Sequence, residues 1–258
     1  MKIVVKGEEI TITAQQERFL KLLYKFRYVN ATELAKVLYM RSDNTYKVLE
    51  TLKDKGLVTK VYKKEYRIGR KPAYYYLNST GVTTVRKLLD VPETVVHALY
   101  KQGSDDFIAQ CQTTLACYNL IREQLPSETY IFSRTEINQD SAFPKNRPDL
   151  YIRTPDSQEV IVYIMTTQPH YIINKRLDEV ITHSEDEGWD GDYPTIAIVV
   201  KDARTQNSIL FKTKRKLEGM GMEEDELTVL VTSLDKLRTS NSTIWSDAFS
   251  PLKLATLL

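Results

Sequence analysis

Asp149 follows Arg147-Pro148 and stands just ahead of the apolar run Leu150 to Ile152, one strand before a second apolar run from Val160 to Met165. A carboxylate there offers Mg²⁺ a hard oxygen ligand, but holding the ion and activating a water need a further acid and a nearby cation beside it. The next strand supplies no such pair. It reads Glu159-Val160-Ile161-Val162-Tyr163-Ile164-Met165-Thr166-Thr167-Gln168, with Glu159 at its entrance and Lys175 only on the helix beyond. Asp149 is therefore the one candidate catalytic residue, and its expected role is that of a carboxylate at a strand-end turn, with no metal. His97, His170 and His183 are scattered over different elements and make no ligand spacing. Cys111 and Cys117 fit no zinc or redox motif and read as small buried hydrophobes. There is no Walker loop, nucleophile elbow or Gly-rich dinucleotide fingerprint, so no cofactor is expected.

A different chemistry is written between residues 60 and 71, where Lys60, Lys63, Lys64, Arg67, Arg70 and Lys71 face the single acid Glu65. Gly69 and Pro72 supply turn residues. Cations clustered on a hairpin tip suit a phosphate backbone, because neutralising phosphates releases condensed counterions. A second polar group, Ser42, Asn44, Tyr46 and Lys47, opens a predicted helix at the end that a recognition helix pushes into the major groove. Asn44 and Lys47 are candidates for either base or phosphate contact.

The elements that must position these residues follow from periodicity. Thr13 with Gln16 forms a capping-box pattern, and Phe19, Leu20, Leu22, Leu23 and Phe26 give the following helix an apolar stripe. Asn30 or Thr32 starts a second, shorter helix carrying Leu34, Ala35 and Leu38 inward. Ser42 is expected to cap a third, in which Thr45, Val48, Leu49 and Leu52 share a face and Gly56 supplies the left-handed residue past the C-terminus. Residues 59 to 77 read as a Val- and Tyr-rich hairpin, and Ser79 is expected to cap a further helix with Val82, Val85, Leu88 and Leu89. Helix, turn, helix, hairpin, helix is the order of a winged helix-turn-helix, an α+β domain over residues 1–92.

Residues 100–258 read as an α/β domain. Asp105 and Asp106 open a helix that Pro126 stops. Three short strands follow, then a helix from about His170 to Glu187, a strand at Ile196 to Val200, a basic helix from Asp202 to about Gly219 and a strand at Leu227 to Val231. That order predicts a mixed sheet with helices on both faces. With Asp149 at the start of a strand, the domain resembles a PD-(D/E)XK nuclease core, degenerate because the acid-x-Lys half is missing.

Charge divides along the same line. Through Asp90 there are 19 Lys plus Arg against 9 Asp plus Glu, and beyond it 17 against 25, so the halves carry +10 and −8. One half is built to meet a polyanion and the other to do something else. No apolar run is long enough to span a bilayer, and charges stand near the N-terminus where a signal peptide would be apolar, so a cytoplasmic protein with no membrane contact is expected.

Four stretches carry a family resemblance: residues 69 to 77 (Gly69-Arg70-Lys71-Pro72-Ala73-Tyr74-Tyr75-Tyr76-Leu77) followed by Ser79-Thr80-Gly81-Val82, the helix before Pro126, Arg147-Pro148-Asp149, and Ile244-Trp245. On these the chain resembles the replication-relaxation family of plasmid and mobile-element proteins, which join a winged helix to a degenerate nuclease-like domain. Members usually carry an acid in the strand after Arg-Pro-Asp, where this chain has Tyr163, Met165 and Thr166. The resemblance implies a role in plasmid replication, relaxation or transfer, or in its regulation. The leading expectation is a non-catalytic, sequence-specific binder of double-stranded DNA whose second domain makes a homodimer or recruits a replication or transfer protein. A divergent metal-dependent nuclease and a ligand-responsive transcription regulator are the alternatives.

Overall fold

A computed structural model describes the chain except for residues 1, 6, 64, 65, 67, 70, 90–101, 138–141, 186–188, 190, 191, 224, 225, 240–243, 251–253 and 258. It divides into two compact units, Met1–Asn119 and Leu120–Leu258.

The first unit opens with a hairpin, β1 (Lys2–Val5) against β2 (Glu8–Thr11), turned at Gly7 with φ +85°. Then come α1 (Ala14–Phe26), α2 (Ala31–Leu38) and α3 (Ser42–Asp54), the antiparallel pair β3 (Val58–Val61) and β4 (Tyr74–Leu77), and α4 (Ser79–Leu89). Reciprocal backbone bonds between Val29 and Tyr75, 3.0 and 2.8 Å, tie the α1–α2 connection to β4. Phe19, Leu20 and Leu23 of α1, Leu34 of α2, Leu49 and Leu52 of α3, Leu57, Tyr75 and Val85 are all sealed from solvent. Burial of each such side chain contributes about 1.5–3 kcal/mol, and removing the shared apolar face would release all three helices together.

The caps show how locally the helices are specified. Thr13 and Gln16 make the reciprocal capping box, Asn30 accepts the Glu33 amide at 2.9 Å, and Gly56 follows α3 with φ +68°. The two caps expected of Ser42 and Ser79 are corrections. Ser42 is the first helical residue of α3, and Arg41 holds the cap position with no side-chain bond. Ser79 likewise begins α4, because Asn78 Oδ1 already takes the Gly81 amide at 2.9 Å. Gly81 itself is required by packing: a Cβ there would stand 2.0 Å from the Leu57 carbonyl oxygen.

The expected boundary at 92–100 lies outside the described residues, and α5 (Asp105–Arg122) does not open the second unit as expected. Most of its length belongs to the first. Its Ile108 and Cys111 join a core cluster with Tyr28, Val61, Tyr66 and Tyr76. Gln112 Nε2 donates to the Tyr28 carbonyl at 2.7 Å, and Asn119 Nδ2 to the Glu33 carbonyl at 3.1 Å. The reason is chemical as well as steric, since backbone groups of the helix-turn-helix are satisfied by amide side chains of α5.

Among the described residues the second unit holds a seven-stranded sheet in the order β11-β10-β9-β8-β7-β6-β5. Strands β5 (Tyr130–Ser133), β6 (Leu150–Arg153) and β7 (Glu159–Met165) form an antiparallel meander, and β7, β8 (Thr195–Val200) and β9 (Val229–Ser233) run parallel. The crossovers are α6 (His170–Ser184) and α7 (Ala203–Met220). A one-turn helix α8 (Leu234–Leu237) then leads to the antiparallel strands β10 (Trp245–Asp247) and β11 (Leu254–Ala255). Helices α6 and α7 pack on the same face of the sheet. Ile173, Leu177 and Val180 of α6 and Ile209, Leu210 and Leu217 of α7 share a single core with Ile161, Tyr163, Ile196, Ile198, Val229 and Val231. The cause is the strand order. Each crossover steps the same way along the sheet, and crossovers of one hand then stack on one side.

Candidate nucleic-acid interface

The outward face of α3 is set by the inward one. Thr45, Leu49 and Leu52 are buried, which turns Ser42, Asn44, Tyr46 and Lys47 to solvent. Among the described residues the side chains of Asn44 and Lys47 have no hydrogen-bond or ion-pair partner, so their donors and the Asn44 acceptor are unspent. The turn into α3 passes through Tyr39, a left-handed residue (φ 52°, ψ 44°) that is 83% exposed. Arg41 beside it pairs loosely with Asp43 at 3.7 Å, both side chains in solvent.

Glu50, on the same helix, joins this face to the strands of the hairpin. Its Oε1 accepts from Lys60 Nζ on β3 at 2.8 Å and from the Tyr75 hydroxyl on β4 at 2.6 Å, and its Oε2 accepts from Lys53 at 2.8 Å. Lys60 also donates to the Tyr46 hydroxyl at 3.2 Å and lies 5.1 Å from the Tyr46 ring centre. Burial alone would push the Glu50 carboxyl up, but the hydrogen bonds from Lys53, Lys60 and Tyr75 outweigh it and hold the carboxyl down at about 2. Burial and the neighbouring Glu50 carboxylate push the Tyr75 hydroxyl up, so it stays a donor. Helix α3 and the β3–β4 pair are thereby fixed as one surface, and the acid that fixes them is offset by two cations.

The hairpin cations are not equivalent. Lys60 is committed to Glu50 and Tyr46. Lys63 pairs with Asp105 of α5, its Nζ 2.5 and 2.7 Å from the two oxygens. Lys71 is exposed, its amide bonded to the Tyr66 carbonyl at 2.8 Å. Lys64, Arg67 and Arg70 lie outside the described residues. The tip is not wholly solvent: Tyr66 is buried against Val61, Tyr76 and Ile108. Nothing in the sequence marked Tyr66 as an anchor, though its place amid cations was a signal that it was not there for charge.

In the second unit Asp149 is 7% exposed and structurally occupied. It precedes β6, its amide donates to Val162 O at 2.9 Å, and its Oδ2 accepts the Ile164 amide at 2.7 Å. The carboxylate thus satisfies a β7 amide beyond the end of the β6 ladder. Burial pushes it up, opposed by that bond and by Arg134 and Arg176. Register puts Asp149 opposite Tyr163, four residues from Glu159, or about 13 Å along the strand. Glu159 is engaged there with the Tyr151 hydroxyl and with Trp189 Nε1 at 3.1 Å, and Lys175 is exposed on α6. Asp149, Glu159 and Lys175 are therefore not brought together, and they do not fit a shared metal. Among the described residues no group of three or more His, Cys, Asp or Glu is placed to hold one. Arg134, whose Nη1 stands 3.9 Å from Asp149 Oδ1, was missed because a lone cation just past a short strand gives no pattern of its own. Trp245 is fully buried in β10. Among the described residues no helix is long and apolar enough to cross a membrane.

The sequence matches the replication-relaxation family over residues 20–161, more than half of the chain. The chain belongs to the replication-relaxation family. The match takes in the helix-turn-helix, the hairpin, α5 and the strands on either side of Asp149. No curated protein matches this family member. Among solved structures it is similar to a cysteine-to-serine mutant of MarR from E. coli complexed with operator DNA, at 22% identity over 45% of this chain and 76% of that one, TM-score 0.28. It is also similar to TrmBL2, an archaeal chromatin protein, at 12% identity over 86% of this chain and 72% of that one, TM-score 0.23.

Proposed function

We propose that the protein binds double-stranded DNA sequence-specifically and serves a plasmid or mobile element in the cytoplasm, acting in replication, in relaxation or transfer, or in their regulation. The observation that carries this reading is the outer face of α3, where Asn44, Tyr46 and Lys47 stand exposed while Glu50 fixes the helix to the hairpin. A helix so held presents its N-terminal residues to base edges in the major groove. Ser42, Lys71 and the cations Lys64, Arg67 and Arg70 are assigned to the phosphates, with Lys60 supporting Tyr46 from below and Lys63 held by Asp105. The residues up to α5 form the DNA-binding part. The sheet that follows, read as a degenerate PD-(D/E)XK-like domain, makes a homodimer or holds a replication or transfer protein. The nuclease alternative has no observation in its favour, because Asp149 is committed to the Ile164 amide.

Selection of bound fragments from the replicon that encodes the protein tests the reading. Enrichment of one discrete site, lost in Asn44→Ala/Lys47→Ala, is expected; recovery of unrelated fragments in proportion to length would refute specificity. Nicking of supercoiled plasmid with Mg²⁺ or Mn²⁺ that disappears in Asp149→Ala would restore the enzyme reading.

A further inference from the structure

Helix α7 is a cationic strip in an otherwise acidic half. Between Ala203 and Met220 it carries Arg204, Lys212, Lys214, Arg215 and Lys216 against Glu218, a net +4, so the remainder of the −8 half carries −12. Its inward face, Thr205, Ile209, Leu210, Thr213 and Leu217, is consumed by the sheet. Two cations are spent within the unit: Lys216 pairs with Asp178 at 2.6 Å, and Lys214 donates to the Phe249 carbonyl at 3.0 Å. Arg204, Lys212 and Arg215 are exposed and, among the described residues, have no carboxylate partner.

Between them stands Phe211, 61% exposed, with the Arg215 guanidinium 5.7 Å from its ring centre. Arg204, Ser208, Phe211 and Arg215 recur at four-, three- and four-residue steps, one line along the helix about 16 Å long. An exposed aromatic flanked by free cations is the composition of surfaces on which unpaired bases stack while cations track the backbone. In a duplex the bases are already stacked and Phe211 would find no π-face. An acidic peptide would satisfy the cations and leave the ring in water.

We infer that the outer face of α7 is a binding site for single-stranded DNA, with Phe211 as the stacking platform and Arg204, Lys212 and Arg215 as phosphate contacts. The site lies wholly within the second unit and is separate from the duplex interface on α3. It also accounts for a basic helix in a half whose charge otherwise repels polyanions.

The test is fluorescence anisotropy of the full-length protein with a labelled oligothymidylate and with a labelled duplex. Phe211→Ala is expected to weaken oligothymidylate binding roughly 5- to 150-fold, the range of one lost base stack, and Phe211→Tyr to restore it. Arg204→Gln/Lys212→Gln/Arg215→Gln should reduce the slope of log K against log salt by about 2 on the single strand, at about 0.7 per phosphate. Duplex binding should be unchanged in both. Asn44→Ala/Lys47→Ala should do the reverse, so failure of the duplex reading leaves the oligothymidylate result intact. Oligothymidylate binding that is unaltered in Phe211→Ala, or that falls equally with duplex binding, would overturn the proposal.

Discussion

Replacing Glu50 by Ala should loosen the joint between α3 and the hairpin, and the size of the effect can be worked from its partners. The Tyr75 side chain is fully buried, and its hydroxyl loses a charged acceptor 2.6 Å away. A buried donor left unpaired costs about 1–3 kcal/mol. The electrostatic component has its own ceiling: a carboxyl held near 2 instead of 4.5 would be worth about 3 kcal/mol unscreened, and solvent at its edge reduces this to about 1–2 kcal/mol. The sign follows from the direction of the shift. A depressed carboxyl contributes its stability in full above pH 4.5 and loses it as pH falls through about 2. Urea titrations at pH 7 should therefore find Glu50→Ala destabilised by about 2–3 kcal/mol. Tyr75→Phe alone should cost about 1 kcal/mol, and the double variant less than the sum, by about 1–2 kcal/mol, because the two share one bond. Glu50→Gln should lose less at pH 7 and shed the wild-type decline between pH 4.5 and 2. Strict additivity of Glu50→Ala and Tyr75→Phe, or a Glu50→Ala change below about 0.5 kcal/mol, the scale of ordinary surface substitutions, would refute the reasoning.

Gly81→Ala should destabilise by about 1–3 kcal/mol, since its Cβ must displace the Leu57 carbonyl; a melting temperature equal to wild type would contradict the contact. Asp149→Ala should cost about 1–3 kcal/mol by removing the carboxylate that accepts the Ile164 amide, whereas Asp149→Asn, which keeps an acceptor, should cost less; denaturant midpoints that do not separate the two would remove the structural role. Thr13→Ala breaks the capping box of α1 and should lower stability by about 1 kcal/mol, read by thermal melting.

The first unit was legible in the sequence where local chemistry decides structure. Thr13 with Gln16, Asn30, Gly56 and the apolar stripes of α1 to α3 each act over one or two turns, and the helix-turn-helix and hairpin follow from them. What sequence could not show was pairing across elements. Glu50 reads as one more solvated acid on a helix until Lys60 and Tyr75, ten and twenty-five positions away, are folded against it. For the same reason Lys60 and Lys63 read as free phosphate contacts, and both are bonded within the unit. Helix α5 looked like the opening of the second unit because Asp105 and Asp106 begin the acidic half, but the buried Ile108 and Cys111 outweigh two exposed charges in deciding where it packs. In the sheet, the strands β5 to β9 were visible as apolar runs. Strands β10 and β11 were not, since three- and two-residue strands carry no period. The side on which α6 and α7 lie depends on strand order, which one sequence does not state.

The most direct test of the central claim is the salt dependence of duplex binding by the full-length protein, wild type against Asn44→Ala/Lys47→Ala and against Lys64→Ala/Arg67→Ala/Arg70→Ala. With α3 at the base edges and the hairpin tip on the phosphates, the α3 variant should lose the preference for its selected site over random duplex. The hairpin variant should weaken both alike and reduce the slope of log K against log salt by up to about 3, at about 0.9 per phosphate on duplex DNA. Wild-type affinity and slope retained in both variants would contradict the winged-helix interface.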